Sequence, residues 1–175
     1  MLASRILSGA AALAAGVTAG VYTVFSARTM PALAELPPGE GLARMQEFNR
    51  NAEQAPFMAC FFGAAVLSVV ALVAEVRKPR STRSRYVIIG GVLYLAGFLL
   101  TILYHVPRNY SIAALDAGSA GSAAPWATFL SEWTAGNTAR AVLSTIATVA
   151  FVCATVPALR PDVKRQRTAP RPTLR

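Results

Sequence analysis

His105 is the only histidine in the chain, and it stands in the run Tyr104-His105-Val106-Pro107-Arg108-Asn109 that closes a long apolar stretch. Further on, Trp126, Leu130, Trp133, Asn137 and Arg140 follow one another at gaps of four, three, four and three. On a helix that spacing lines all five along one face, aromatics at one end and the amide and guanidinium at the other. These residue types supply an imidazole to move a proton, amides and a guanidinium to hold a developing oxyanion, and rings to stack on an aromatic ligand. Each also has a plainer role. Trp and Tyr collect in interfacial belts, an arginine head reaches lipid headgroups along an apolar surface, and a lone interfacial histidine is commonly structural. An Asn and an Arg one turn apart, on the face of a Trp, point to a bundle interior rather than to lipid.

A second polar group precedes these. After Thr29-Met30-Pro31-Ala32-Leu33 and a Pro37-Pro38-Gly39 turn, residues 40–51 have helical composition, with Leu42, Met45, Phe48 and Ala52 on one face and Gln46 and Asn49 beside it. Such a short amphipathic helix lies over the mouth of a bundle, either as a plain cap or as a lid carrying two amides. Other chemistries find no footing. One His and two separated Cys make no metal cluster at ordinary spacing, and there is neither a phosphate-binding glycine loop nor a dinucleotide fingerprint.

The elements that must position these residues follow from composition. The 175 residues are 54% hydrophobic and 14% charged, against about a quarter charged in a soluble domain, with a mean hydropathy of +0.45. The formal charge of +9 and pI near 10.6 would suit a nucleic-acid binder, but the basic residues sit at the ends of apolar runs, so no nucleic acid is expected. The runs Ile6–Ala27, Gln54–Ala74, Tyr86–Tyr104 and Ala141–Leu159 contain no Asp, Glu, Lys or Arg. Each can cross roughly 30 Å of hydrocarbon, and only as a helix. The expected fold is all-α: a four-helix transmembrane bundle over residues 1–159, with spans at about 6–27, 54–76, 86–105 and 139–159 and short helices in two outer loops.

Charge sets the orientation. Arg5, the Arg77–Arg85 loop and the tail carry twelve of the seventeen basic residues, which places both termini in the cytoplasm of a bacterial inner membrane. Residues 160–175, with Pro161, Pro170 and Pro172 among six basic residues, read as a disordered tail that fixes topology or touches anionic lipid. The first span also resembles a secretory signal, but its apolar run is about twice a minimal signal core, which favours retention. Gly9, Ala12, Gly16 and Gly20 form a small-residue stripe for helix packing. Cys60 and Cys153 differ in depth by roughly 12 Å at 1.5 Å per residue, too far for a disulfide. Pro107 is expected to disfavour continued helix at Val106 and so to fix a bend where the chain leaves the hydrocarbon.

The set His105-Val106-Pro107-x-Asn109, Trp133-x-x-x-Asn137-x-x-Arg140, Met30-Pro31-Ala32-Leu33 and Gln46-x-x-Asn49 resembles the anthrone oxygenase-like family of small four-helix membrane proteins. The likeness covers nearly the whole chain apart from the tail. It implies oxidation of an anthrone-like aromatic polyketide to a quinone by O2 as a monooxygenase, with no metal, flavin, haem or other cofactor. On that reading His105 is the base and Arg140, Asn137 and Asn109 stabilise the oxyanion. Trp133, Tyr104 and Trp126 would bind the rings, while Gln46 and Asn49 close the lid.

Two further classes fit the same residues. One is a non-catalytic membrane protein that holds a quinone-like or lipid-like molecule, which predicts binding without oxygen consumption. The other is an accessory subunit, a homo-oligomer or part of a larger membrane assembly, which would co-purify with its partner. A transporter fits less well, because no charge lies in mid-membrane and no internal repeat is evident.

Overall fold

The computed structural model of the protein describes residues 2–52, 54–76 and 81–156. Among these the chain forms five helices and no strand: α1 (Leu2–Ala34), α2 (Pro38–Ala52), α3 (Ala55–Val76), α4 (Thr82–Ala113) and α5 (Ala123–Thr155). Four of them, all but α2, are long and apolar enough to cross a membrane. Leu13, Val66, Val73, Leu103 and Val149 stand exposed on the outside of the bundle, where a lipid solvent would bury them. The fold is an all-α bundle, as the apolar runs require. The basic loop residues Arg77, Lys78 and Arg80, the end of the expected fourth span and the tail at 160–175 lie outside the described residues.

The four long helices form a ring in which α1 and α4 each pack against both α3 and α5. Small residues let them approach. Ala11, Ala15, Ala64, Ala147 and Ala154 are fully or almost fully buried, and Gly91 lets Leu72 of α3 lie where a Cβ would stand within 2.7 Å of it. Close packing of small residues drives association where lipid removes the hydrophobic term. Cys60 and Cys153 are free and half-buried.

Two of the helices are longer than the uncharged runs. The first runs on to Ala34, and the helix of the third span passes through Val106 and Pro107 to Ala113, so helix continues at Val106 where Pro107 was expected to disfavour it. Both contain a π turn, Phe25–Thr29 in α1 and Thr101–His105 in α4, sealed by the Met30 amide donating to Phe25 O and the Val106 amide donating to Thr101 O. Each is followed by one residue and then a proline. The widened turn restarts the helix, so Pro31 and Pro107 fall in the first turn of a new segment, where the missing N–H has no partner to lose. Such turns inside long helices often accompany functional sites.

At this end of the bundle α2 closes a cap. Met30 and Leu33 of α1, Leu42 and Met45 of α2, Ile112 of α4, and Trp126, Phe129 and Trp133 of α5 form one buried cluster. Gln46 Nε2 donates to Ile112 O at 2.8 Å and to Leu115 O at 3.0 Å, which pins α2 to the end of α4. Gly41 sits where a Cβ would meet Leu33 O at 2.8 Å and the Trp126 indole at 3.0 Å. Gly41→Ala is therefore expected to lift α2 off the bundle and cost about 1–3 kcal/mol through overpacking; a thermal melt followed by tryptophan fluorescence reads it, and an unchanged melt would refute that contact.

The opposite end is held by one arginine. Arg83 of α4 donates from Nη1 to Glu75 Oε1 of α3 at 3.0 Å, from Nη2 to Ser4 O at 2.7 Å and Ser8 Oγ at 3.2 Å of α1, and from Nε to Ala154 O of α5 at 3.1 Å. All four long helices meet at this guanidinium. Its place in the basic loop marks Arg83 by sequence as a topology determinant; its fork of donors makes it a structural clasp as well.

Candidate functional site

The π turns are joined through α5. Asn137 Nδ2 donates to Tyr22 O and to Ser26 Oγ, both at 2.7 Å, at the first π turn. Arg140, one turn further, donates from Nη1 to Thr101 Oγ1 of the second at 3.2 Å. The pair is coupled by Arg140 Nε donating to Asn137 Oδ1 at 2.8 Å. Asn137 and Arg140 share a helix face because they are three apart, and the sequence places both in the bundle interior, where each must find partners or pay a desolvation cost.

Against this junction lies a cavity of about 450 Å³, walled by Tyr22, Phe25, Phe57, Phe61 and Trp133, well within the usual range of roughly 300–1,000 Å³ for ligand sites. Its polar groups are Gln46, Asn49, Arg50, Thr101, Asn109 and Arg140. The aromatic wall is continuous: Phe25 packs on Phe48 and on Trp133 with centroids 5.5 and 5.9 Å apart, and Tyr22 on Phe57 at 6.1 Å. Beneath it, Phe61 stacks on Phe98 at 4.7 Å, and the Tyr94 hydroxyl ties α4 to Phe61 O at 2.9 Å. On the side between α3 and α4 the lining residues Phe62, Ile102 and Tyr110 are exposed, so the cavity opens through an apolar edge of the bundle.

Arg140 is the charge at this wall. It is 7% exposed, stacked with its guanidinium carbon 4.0 Å from the Tyr22 ring centre and 5.2 Å from that of Trp133. Its Nε and Nη1 are spent on Asn137 and Thr101, and the Tyr22 hydroxyl lies beside it. No Asp or Glu among the described residues lines the cavity, although a second arginine, Arg50, does. A buried cation without a protein counter-ion calls for a ligand that brings acceptor oxygens. Asn49 Nδ2 and the Tyr22 hydroxyl are likewise buried without a hydrogen-bond partner.

The residues singled out by sequence distribute as follows. Arg140, Asn109, Trp133, Gln46 and Asn49 line the cavity. Asn109 Oδ1 accepts from Trp133 Nε1 at 2.8 Å, which fixes the indole plane. Asn137 stands behind Arg140, fully buried and bonded to it. His105 is also fully buried; it does not line the cavity, and Trp133, whose ring packs edge-on to it at 5.1 Å, is the side chain that does. Neither ring nitrogen of His105 has a hydrogen-bond partner among the described residues. Tyr104 and Trp126 lie away from the cavity. Tyr104 donates to Glu132 O at 3.0 Å and carries Arg108 on its ring at 3.5 Å, because the π turn rotates it to the outer side. Trp126 is the buried hub of the cap, stacked on Phe129 at 5.7 Å.

Tyr22, Thr101, Phe25, Phe57 and Phe61 escaped the sequence reading. Tyr22 offered a signal, as the one tyrosine of the first apolar run, since polar groups inside a span tend to face function. The phenylalanines offered none, being indistinguishable there from lipid-facing residues.

The family model for anthrone oxygenases matches residues 45–150, which covers α3, α4, most of α5 and the Met45-to-Ala52 part of α2. No curated protein and no solved structure matches the chain.

Proposed function

The chain belongs to the anthrone oxygenase family, and from that premise we propose that its cavity oxidises an anthrone-like fused aromatic to a quinone with O2 and without a cofactor. The observation that carries this reading is Arg140, buried and without a carboxylate partner among the described residues, at the wall of an aromatic cavity of about 450 Å³. The substrate's methylene, flanked by two aromatic rings, loses a proton to water, and the electron pair spreads to the ring-ketone oxygen at Arg140. One electron then passes to O2, and the ring radical and superoxide combine in a carbon–oxygen bond. The peroxide takes up a proton; the second methylene proton leaves as the O–O bond breaks, giving the new carbonyl and one water. The protein lowers the first barrier by holding the enolate oxygen against a fixed donor in an apolar-walled site, worth about 10²–10³-fold per well-placed donor. Trp133, oriented by Asn109, and Phe25 hold the rings.

In this scheme Asn137 positions Arg140, and His105 supports the back of Trp133 rather than taking the proton. His105→Phe is accordingly expected to lower kcat less than about tenfold, against the 10²–10⁴-fold typical of a lost general base; a deficit of that larger size would return the proton transfer to His105. We further propose that the basic ends place both termini in the cytoplasm and the cap outside, with the ligand entering from the membrane edge between α3 and α4.

Quinone formation is the direct test. Purified protein in detergent, mixed with anthrone in air, should give quinone absorbance at a rate proportional to protein and well above that of empty micelles. If the rate equals autoxidation for a panel of anthrones while a non-oxidised quinone still binds, the non-catalytic binding reading takes its place.

A further inference from the structure

Tyr22 has no part in the scheme above, yet it is the most enclosed polar group on the cavity wall. It is 3% exposed, its hydroxyl meets no hydrogen-bond partner among the described residues, and Arg140 lies 4.0 Å over its ring. Its backbone carbonyl is held by Asn137 at 2.7 Å, so the side chain is anchored at its root by the residue that also orients Arg140. The hydroxyl lies beside Arg140 and Thr101. An orphaned hydroxyl in an apolar wall destabilises the empty site unless a ligand completes it.

The charge is equally one-sided. From α5 the cavity receives Arg140, from α2 Arg50, from α1 the Tyr22 phenol and from α4 the Tyr110 phenol, while the described part of α3 contributes no titratable side chain to the wall. The described wall thus offers donors and positive charge and no carboxylate.

We propose that the cavity takes its ligand as an anion, the acidic oxygen of a fused-ring phenol or enol being held jointly by Arg140 Nη2 and the Tyr22 hydroxyl. The substrate class is therefore aromatic ketones that ionise at a ring oxygen, and neutral polycyclic hydrocarbons or fully alkylated ethers are excluded. Asn49, whose Nδ2 is also unpartnered, meets an oxygen at the ligand's other edge. The inference rests on the reading of this cavity as the reaction chamber, but it concerns the charge state of the bound molecule and not its oxidation.

The test uses 2-hydroxyanthraquinone, which the proposed reaction cannot oxidise and which changes from yellow to red on losing its proton. Bound to the purified full-length protein in detergent, it should turn red at a pH at least one unit lower than in empty micelles. Its methyl ether should bind at least tenfold more weakly. Tyr22→Phe, which keeps the ring under Arg140, should weaken binding of the phenolate about tenfold, as befits one hydrogen bond to a charged oxygen. A probe that stays yellow when bound, an ether that binds as well as the phenol, or no binding by the folded protein would each overturn the proposal. The wild-type colour shift reads it without any variant. Red probe bound to a protein that forms no quinone from anthrones would uphold this inference and sink the proposed reaction; rapid quinone formation beside a probe bound in its yellow form would do the reverse.

Discussion

Arg140→Met is expected to lower the turnover number about 10²–10³-fold while leaving the bundle folded. The side chain's length and apolar contacts with Tyr22 and Trp133 are largely kept, so the loss falls on charge. Two partners, Asn137 Oδ1 and Thr101 Oγ1, lose the donors that reach them at 2.8 and 3.2 Å. Thr101 keeps its own bond to Gly97 O at 3.0 Å, and Asn137 keeps Tyr22 O and Ser26, so the junction survives in part. Arg140→Lys sharpens the test. A lysine carries the charge but not the fork that binds Asn137, Thr101 and a ligand together, and it should recover only part of the rate. Full activity in Arg140→Lys would show that charge suffices and the bidentate geometry does not matter. Full activity in Arg140→Met would remove this residue from the chemistry.

The largest expected effect on stability lies at the other end of the molecule. Arg83→Ala takes away four hydrogen bonds to three neighbouring helices at once. It also strips the guanidinium from Glu75, whose side chain is 4% exposed. Breaking a buried ion pair by deleting one partner costs about 3–5 kcal/mol, and here the loss should appear as a large drop in melting temperature in detergent. Since the clasp is far from the cavity, the surviving folded fraction should turn over at the wild-type rate. Glu75→Gln, which still offers Arg83 an acceptor, should be milder. Equal stability of Arg83→Ala and wild type would show that the clasp contributes nothing.

The contrast between these two arginines explains what the sequence could and could not say. The spans were legible because bilayer thickness and uncharged length leave little freedom, and the helix through Trp126 to Arg140 was legible because its four- and three-residue gaps admit one face. Arg140 stood out as a charge inside that face. Arg83 did not, because a basic residue in a short loop reads as a topology signal whether or not it also reaches across the bundle. The π turns were hidden for a related reason. A proline after an apolar run reports a break in α geometry, and the chain answers with one extra residue per turn instead of an end. That extra residue rotates Tyr104 outward and brings Thr101 to Arg140, so the register of the second π turn, and not the identity of its residues, decides which side chains meet the cavity. Gly136 records the same closeness: a Cβ there would stand 2.6 Å from the Tyr104 ring and 3.1 Å from His105 Nε2, where the sequence alone suggests only a weak point in a helix.

In the proposed reaction one dioxygen is split between product and water, in a cavity that supplies only binding and charge. Oxygen uptake measured with an electrode alongside quinone absorbance, in the presence of purified protein and anthrone, tests it most directly. One O2 is expected to be consumed per quinone formed, with no hydrogen peroxide and a rate that collapses in Arg140→Met. Uptake no faster than in empty micelles, or peroxide released in step with quinone, would contradict it.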